Sequence, residues 1–341
     1  MKKYPLVSII VVNFNGKHHL RNCINSLKKT AYPNFEVILV DNGSTDESVD
    51  LIKNNFGWVK LLENEKNLGP IKGRNIGASI ARGELIVFLD NDTEVDSKWL
   101  SDLVKVMVKN KSIGICACKV KFFSNRDLIN SAGMGCDIYG FAFSRGLICR
   151  GNYEKDEGQY DKEEEVFAGY AAAMMIRKDV LDEVNYLNSD FGMYYEEIDL
   201  SWKVRIAGYK VVYSPKSIVY HKMTGPKSSF TRKIKYYTEM NRLRTVIQNY
   251  SLSMLFKIIP IYSFLKLSEF LIYIIYRKFD DAIGVASGIF GFFKKFPKVL
   301  LDRIVVQKLR KVNDDEIIKY MEKHSIELSM FLKGYGKYVL S

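Results

Sequence analysis

A short apolar run that ends at two carboxylates constrains the fold of this chain more than any other feature. Residues 85–89, Leu-Ile-Val-Phe-Leu, are uninterrupted by polar side chains, and Asp90-Asn91-Asp92 follow at once. Such a run is typical of a strand buried on both faces of a parallel sheet, and open sheets of that kind bind ligands at the carboxyl ends of their strands. There Asp90 and Asp92 can hold a divalent cation. A solvated acidic turn is the alternative for an isolated Asp-x-Asp pair.

The residues before this run alternate between strand and helix patterns. Apolar runs at 7–12, 35–40 and 59–62 predict strands, and helical periodicity with short connections separates them. This alternation predicts a doubly wound, mainly parallel, Rossmann-like α/β sheet. The second strand also ends at a carboxylate, Asp41, which then lies at the same edge as Asp90, where a nucleotide would sit.

The chain lacks the usual glycine-rich phosphate cradles. No G-x-G-x-x-G follows the first strand, and G-x-x-x-x-G-K-[ST] does not occur. A diphosphate bound at this edge would therefore need a metal ion, for which Asp90 and Asp92 are the candidates.

The net charge of +12 is unevenly distributed. Residues 216–341 contain 23 Lys and Arg against 10 Asp and Glu, so the whole surplus lies in the C-terminal third. A polyanionic partner, either a membrane surface or nucleic acid, is expected for this part alone. The five cysteines form no C-x-x-C pair, and the N-terminal apolar run is too short for a signal peptide, which favours reduced thiols in a cytosolic protein.

Two apolar segments with basic flanks favour a membrane surface over nucleic acid as the partner. Residues 258–275 have the minimum length for a membrane span but are interrupted by Pro260, Lys266 and Glu269, and residues 282–293 are too few to cross. We expect helices that lie in the membrane interface or re-enter the membrane from one side, with a spanning hairpin and a soluble core as alternatives. Nucleic acid is not expected, because the apolar segments would have no role there.

A second acidic segment contains Glu196, Glu197 and Asp199. On a helix, Glu196 and Asp199 share one face while Glu197 points about 100° away. Three carboxylates this close are costly to bury, so they imply a partner or a raised pKa. The alternative is an acidic first turn stabilised by the helix dipole. His221, after a strand-like run, is by itself more often a structural histidine.

Four motifs in the first hundred residues resemble the nucleotide-sugar half of a family 2 glycosyltransferase with the GT-A fold. They are residues 7–16, which include Asn13, residues 40–44, which include Asp41, the segment Asn67-Leu68-Gly69 with Arg74-Asn75-x-Gly77, and residues 88–92. The resemblance implies that Asp41 contacts the nucleotide base, that Asp92 binds Mg²⁺ or Mn²⁺ on the diphosphate, and that Asp90 lies near the ribose or the metal. Asn13, Asn67, Gly69 and Arg74 are expected to bind the nucleotide sugar, and Gly169, in a run of small residues, to let the backbone approach the donor sugar.

The acidic segment resembles the family's Glu-Asp-x-Asp-Leu-x-Trp-Arg element, whose second acid is the general base. That role falls on Glu197, where the family usually has Asp, with Glu196 as the fallback and Asp199 as the third acid. The resemblance also places His221 in the metal and diphosphate site. Asn188 stands where an Asp is usual and Gly192 where an aromatic residue is usual. Lys222, Thr224 and Lys227, around Gly225-Pro226, are expected to close over the phosphates.

The resemblance predicts a metal-dependent, inverting glycosyltransferase that uses a UDP-, dTDP- or GDP-linked sugar. Its expected acceptor is a lipid-linked saccharide at the cytoplasmic face of the membrane. A polyprenyl-phosphate glycosyltransferase, a sugar nucleotidyltransferase and a non-catalytic membrane scaffold are the alternatives. A processive synthase is not expected, because Gln-x-x-Arg-Trp is absent. The predicted domains are a catalytic domain at 1–228, divided at 112/113, and a basic, apolar helical region at 229–341.

Overall fold

The computed structural model of the chain describes residues 4–149, 152–223, 231–330 and 332. The strands are β1 (Val7–Asn13), β2 (Phe35–Asp41), β3 (Lys60–Glu63), β4 (Leu85–Asp90), β5 (Thr93–Val95), β6 (Ile113–Phe122), β7 (Ile129–Ser131), β8 (Met134–Cys136), β9 (Ala142–Ser144), β10 (Leu147–Cys149), β11 (Asn152–Tyr153), β12 (Glu164–Glu165), β13 (Ala173–Arg177) and β14 (Lys210–His221). The helices are α1 (Lys17–Lys28), α2 (Ser48–Asn55), α3 (Pro70–Ser79), α4 (Trp99–Lys109), α5 (Lys178–Glu183), α6 (Glu196–Ile206), α7 (Thr231–Asn249), α8 (Leu252–Ile275), α9 (Phe279–Lys308) and α10 (Asp314–Ile318).

One mixed, mostly parallel sheet of ten strands organises the described residues. Its main path runs β12-β14-β6-β13-β4-β1-β2-β3, with β5 and β7 paired at its side. The strands β1 to β4 are parallel to their neighbours within that group, and β13 enters antiparallel between β4 and β6. The predicted fold class, a mainly parallel GT-A-like sheet, is confirmed. Because the strand order reverses at β1, the carboxyl ends of β1 and β4 form the crevice where such sheets bind ligands.

The apolar runs of the sequence became the buried strands. Residues 85–89 on β4 are at most 1% exposed, as expected of a strand covered on both faces. The cysteine side chains that the structure describes, Cys23, Cys116, Cys118 and Cys136, are buried and form no disulfide. Those of Cys116 and Cys118 lie in the same apolar cluster, on one face of β6.

The C-terminal helices pack on the sheet domain through α7, which contacts α6 and lies along α9. α8 and α9 form a hairpin, and α8 is the one helix among the described residues that is long and apolar enough to cross a membrane. Only 28% of its apolar window is buried. Pro260, which interrupts the apolar segment in the sequence, lies inside α8. The helix begins at Leu252 and continues through this proline. The predicted domain boundary at 228 and the predicted closing residues Thr224 to Lys227 lie outside the described residues.

Candidate active site

The carboxyl ends of β1 and β2 hold Asn13 and Asp41 in one hydrogen-bonded group. The Asn13 amide donates to Oδ1 of Asp41 at 2.9 Å, and the backbone N–H of Ser44 donates to Oδ2 at 2.8 Å. Asn91, between the two acids that follow β4, donates to Oδ1 of Asn13 at 2.8 Å. Asp41 is only 2% exposed, so these contacts fix its carboxylate at the sheet edge that the sequence predicted.

Asn67 and Gly69 shape the entry into α3. The Gly69 N–H donates to Oδ1 of Asn67 at 2.8 Å, and the Gly69 carbonyl accepts from Asn42 at 3.0 Å. Gly69 has φ +83°, a left-handed conformation that favours glycine, and Pro70 begins the helix. A Cβ at Gly77 would lie 2.4 Å from Cγ2 of Ile10, so the glycine lets α3 lie close on β1.

Arg74, on α3, joins the two acidic segments of the sequence. Its Nη2 lies 2.6 Å from Oδ1 of Asp90 and its Nη1 lies 3.0 Å from Oε1 of Glu196. The guanidinium is buried, with a side chain 6% exposed, so both ion pairs are shielded from water. Arg74 therefore connects the end of β4 to the first turn of α6.

Asp90, Asp92 and His221 form a group with the geometry of a metal site. One ligand atom from each lies within 4.8 Å of the others. The Nε2 atom of His221 lies 3.2 Å from Oδ1 of Asp92, and Nδ1 lies 3.1 Å from Oδ1 of Asn130, which orients the ring. Burial lowers the pKa of His221, but the hydrogen bond and charge of Asp92, with the charge of Asp90, outweigh burial and raise it. Two carboxylates and an imidazole fit Mg²⁺ or Mn²⁺.

Among the described residues, Glu197 is the one carboxylate of the acidic segment that forms no ion pair. Burial, and then the charge of neighbouring Glu196, raise its pKa to about 8. Its Oε2 atom is buried and has no hydrogen-bond partner among the described residues. A carboxylate with a pKa near neutrality and a free oxygen is suited to accept a proton.

The other two acids of α6 have different surroundings. Glu196 is paired with Arg74, as described above. Asp199 is 1% exposed and accepts a hydrogen bond from Nδ2 of Asn249 on α7 at 3.0 Å, with Nζ of Lys203 at 3.5 Å. The structure therefore does not bring Asp199 into the group formed by Arg74, Asp90 and Glu196.

The backbone at Gly169 contacts α6 and lies close to β13. Its N–H donates to Oγ of Ser201 on α6 at 3.2 Å, and a Cβ there would lie 2.8 Å from Sδ of Met174. The next residue, Tyr170, has its ring edge-to-face with His221 at a centroid distance of 6.2 Å. Burial, followed by the charge of Asp90, raises the pKa of Tyr170. Sequence reasoning missed Tyr170 and Asn130, although an aromatic side chain inside a run of small residues was a signal for the first.

Asn188 and Gly192, which differ from the family pattern, each lie near a side chain of the C-terminal helices. Asn188 donates to Oδ2 of Asp302 at 3.1 Å, so an Asp at 188 would set a second carboxylate against Asp302. Gly192 has φ +71°, and Cε1 of the Tyr237 ring lies 3.6 Å from the position of its missing Cβ. The aromatic ring of Tyr237, on α7, therefore lies next to Gly192.

Comparisons with known proteins show the same fold. The chain is similar to the mannosyltransferase PcManGT from Pyrobaculum calidifontis in complex with GDP-Man and Mn²⁺, with a TM-score of 0.53 and 13% identity over 89% of this chain and 86% of the other. It is also similar to GalNAc-T7 with UDP, GalNAc and Mn²⁺, with a TM-score of 0.54 and 20% identity over 77% of this chain and 55% of the other.

Sequence comparisons add the family. The chain is 28% identical over 246 residues to the O-antigen biosynthesis protein RfbC of Myxococcus xanthus, which covers 68% of this chain and 18% of the relative. It spans 25 to 44% of the length of three further curated relatives, from Sinorhizobium fredii and Haemophilus influenzae. Residues 8–184 match the profile described as Glycosyl transferase family 2. The chain therefore belongs to glycosyl transferase family 2.

Proposed function

We propose that this glycosyltransferase moves a sugar, with inversion, from a nucleoside diphosphate to a hydroxyl of a saccharide acceptor. The observation that carries the proposal is the convergence of three candidate metal ligands and the available carboxylate of Glu197 on one sheet edge. Arg74 contacts Asp90 on one side of this group and Glu196 on the other. Such an arrangement supports a diphosphate-binding centre beside a general base.

The donor is proposed to lie along the ends of β1, β2 and β4. Asp41, fixed by Asn13, would contact the nucleotide base, and the turn of Asn67 and Gly69 would border the donor. Arg74 is buried and positively charged, so it would orient Asp90 beside the diphosphate and could itself contact the phosphates. The similar structures contain UDP or GDP-Man, which supports a UDP-, dTDP- or GDP-linked donor without selecting one.

Asp92, His221 and Asp90 would hold Mg²⁺ or Mn²⁺. A cation there would neutralise negative charge on the departing nucleoside diphosphate. The Mn²⁺ in two similar structures supports the choice of a divalent ion. Asn130 would keep the His221 ring turned toward Asp92 through its contact with Nδ1.

Glu197 is proposed to take the proton of the acceptor hydroxyl while that oxygen attacks the anomeric carbon. The nucleoside diphosphate leaves from the opposite face, so the anomeric configuration inverts. Glu196 is less available for this role, because Arg74 forms an ion pair with its Oε1 atom. We assign Asp199 a positioning role, because its contacts are with Asn249 and Lys203.

The acceptor is proposed to be a lipid-linked saccharide at the cytoplasmic face of the membrane, with the protein bound peripherally. Exposed apolar side chains lie along α8, at Phe256 and then at intervals of three or four residues at Phe264, Leu267 and Leu271. Lys266, on the opposite side of α8, is 3% exposed and pairs with Glu239 of α7. α8 thus turns Lys266 inward and these apolar side chains outward, which gives it an apolar outer face suited to a membrane interface.

The α9 helix repeats this pattern and supplies the charge that favours a membrane over another protein. Phe290, Phe293 and Leu301 are each about 60% exposed. Exposed lysines border them, at Lys294 and Lys295. Lysines near anionic headgroups contribute about 1 kcal/mol each to membrane binding. The name of the O-antigen relative is consistent with such an acceptor.

Calorimetric titration of UDP, dTDP and GDP with Mn²⁺, with and without EDTA, tests the donor site directly. We expect at least one nucleotide to bind only when Mn²⁺ is present. Asp92→Ala should lose this binding and keep its melting temperature, whereas Asp127→Ala, at an exposed position, should bind normally. Binding that is unaffected by EDTA and by Asp92→Ala would contradict metal dependence. Failure of every nucleotide would favour the membrane scaffold.

A further inference from the structure

The loop that leads into the acidic helix α6 is held in an unusual backbone conformation. Gly192, Tyr194 and Tyr195 have φ values of +71°, +64° and +71°. Glycine tolerates this left-handed region, but a tyrosine there is strained. Such residues keep this conformation only when the surrounding structure holds them. Glu196 and Glu197 follow immediately, so the direction of α6 depends on what holds this loop.

Asn241 on α7 provides most of that support. Its Nδ2 atom lies within hydrogen-bond distance of three loop carbonyls, those of Phe191 at 3.0 Å, Met193 at 2.8 Å and Tyr194 at 3.0 Å. The side chain of Asn241 is fully buried. Without the Asn241 amide, these buried carbonyls would lose this hydrogen-bond donor, which is energetically unfavourable.

A second contact on α7 fixes α6 itself. Eight residues after Asn241, the side chain of Asn249 donates to Oδ1 of Asp199 at 3.0 Å. The Tyr195 hydroxyl completes the support by donating to the Gly140 carbonyl at 3.1 Å. One helix therefore holds both the loop before α6 and a carboxylate within it.

We infer that Asn241 is a positioning residue for glycosyl transfer, and that α7 belongs to the catalytic unit. This inference rests on the proposed role of Glu197 as the base. Through its contacts with three loop carbonyls, Asn241 holds Tyr194 and Tyr195 in their left-handed backbone conformation. It thereby orients the first turn of α6 toward the sheet edge that is proposed to bind the donor. The catalytic unit then ends near residue 250, and the predicted boundary at 228 would remove part of its support.

Asn241→Leu tests the inference, because leucine has a similar volume but no donor. We expect kcat to fall by about tenfold to a hundredfold, the effect typical of an approximately 1 Å misplacement, while KM for the donor changes by less than about threefold. If the Leu variant does not fold, Asn241→Ala leaves space for water to satisfy the carbonyls. Thr245→Val is the matched control, because its hydroxyl is buried on the same helix without a hydrogen-bond partner among the described residues.

The pH profile separates positioning from a general loss of stability. A relaxed loop exposes Glu197 to water, so the acid limb of kcat/KM should move to lower pH in the Asn241 variants and stay in place in Thr245→Val. A folded Asn241 variant with kcat within twofold of the wild type, or with an unmoved acid limb, would overturn the inference. Glu197→Gln is measured alongside. If that variant stays active, the proposed base is wrong, whereas an inactive Glu197→Gln with unaffected Asn241 variants refutes only the role of Asn241.

Discussion

The proposed role of Glu197 as the base rests on surroundings that leave its Oε2 atom without a hydrogen-bond partner among the described residues and that disfavour its ionised form. Burial and the neighbouring Glu196 raise its pKa to about 8, while Arg74 is engaged by Glu196 and Asp90. We expect Glu197→Gln to lower kcat by about 10²- to 10⁴-fold, the range for loss of a general base, with little change in nucleotide affinity. In the wild-type protein, kcat/KM should rise with pH up to about 8, as the carboxyl group of Glu197 in the free enzyme loses its proton.

The conservative variant Glu197→Asp serves as the control, since it keeps a carboxylate of the type that is usual in the family. It should retain more activity than Gln at every pH. Full activity in Glu197→Gln would contradict the mechanism and favour an acceptor that needs no base, such as a lipid phosphate.

The same raised pKa has a consequence for stability. The carboxyl of Glu197 has an ordinary pKa of about 4.5 in the unfolded chain and about 8 in the folded chain, so folding favours its protonated form. Its ionisation therefore destabilises the fold progressively as the pH rises from about 4.5 to about 8, and the full cost persists above. Glu197→Gln should melt at a higher temperature than the wild type at pH 8.5 and at nearly the same temperature at pH 4.5. An equal difference at both pH values would show that charge burial is not the cause.

The sequence was sufficient for residues that belong to local motifs. Asp41, Asp90 and Asp92 each follow a recognisable strand, so their common edge could be predicted from parallel pairing alone. Asn241 and Asn130 could not be found in that way. Each acts through a side-chain contact with a distant part of the chain, Asn241 with the loop before α6 and Asn130 with His221. Nothing in the neighbouring sequence specifies such a contact.

At the scale of elements, α3 shows how close packing places a functional side chain. Gly73 and Gly77 face β1, and a Cβ at Gly77 would meet Cγ2 of Ile10 at 2.4 Å. Helical Gly→Ala substitutions normally stabilise a protein by up to about 1 kcal/mol. Gly77→Ala should instead destabilise it by about 1–3 kcal/mol, because the added methyl separates α3 from the sheet. Arg74, on the same helix, would then shift relative to Asp90.

Denaturant unfolding measures this effect, and Gly57→Ala is its control. A Cβ at Gly57 would meet no atom within 4 Å, and its φ is not positive, so a change within about 0.5 kcal/mol is expected. A Gly77→Ala protein as stable as the wild type would mean that α3 can move away without cost.

Other elements depended on contacts that a linear pattern does not contain. Strand β13 (173–177) contains Met174, Met175 and Ile176 after three alanines. The sequence pattern there indicated a run of small residues and not a strand. Its antiparallel position between β4 and β6 is set by long-range pairing. Lys266 and Glu269 looked like breaks in an apolar segment, yet they pair with each other at 2.7 Å on the side of α8 that faces Glu239. Their charges are satisfied within the protein, so α8 keeps an apolar outer face.

For the whole molecule, these arrangements give α7 two neighbours with different roles. Asn241 and Asn249 contact the loop and helix of the candidate active site, while Lys235 and Glu239 form ion pairs with Glu269 and Lys266 of α8. One helix therefore connects the proposed catalytic centre to the proposed membrane surface. This connection would keep the active site at a fixed position relative to a lipid-linked acceptor.

The membrane surface can be tested with the whole chain and vesicles. In flotation experiments we expect binding to vesicles that contain phosphatidylglycerol, weaker binding to phosphatidylcholine alone, and partial release at 1 M salt. Phe256 and Phe264 are 80% and 69% exposed, so replacing both by Ser should weaken binding about tenfold or more. Trp58→Ser, at an exposed aromatic side chain outside the hairpin, should bind like the wild type. A double variant that floats normally would contradict this role of the two rings. If it floats normally and also loses a dimer seen in sedimentation, the partner of this surface is a second copy of the chain and not a bilayer.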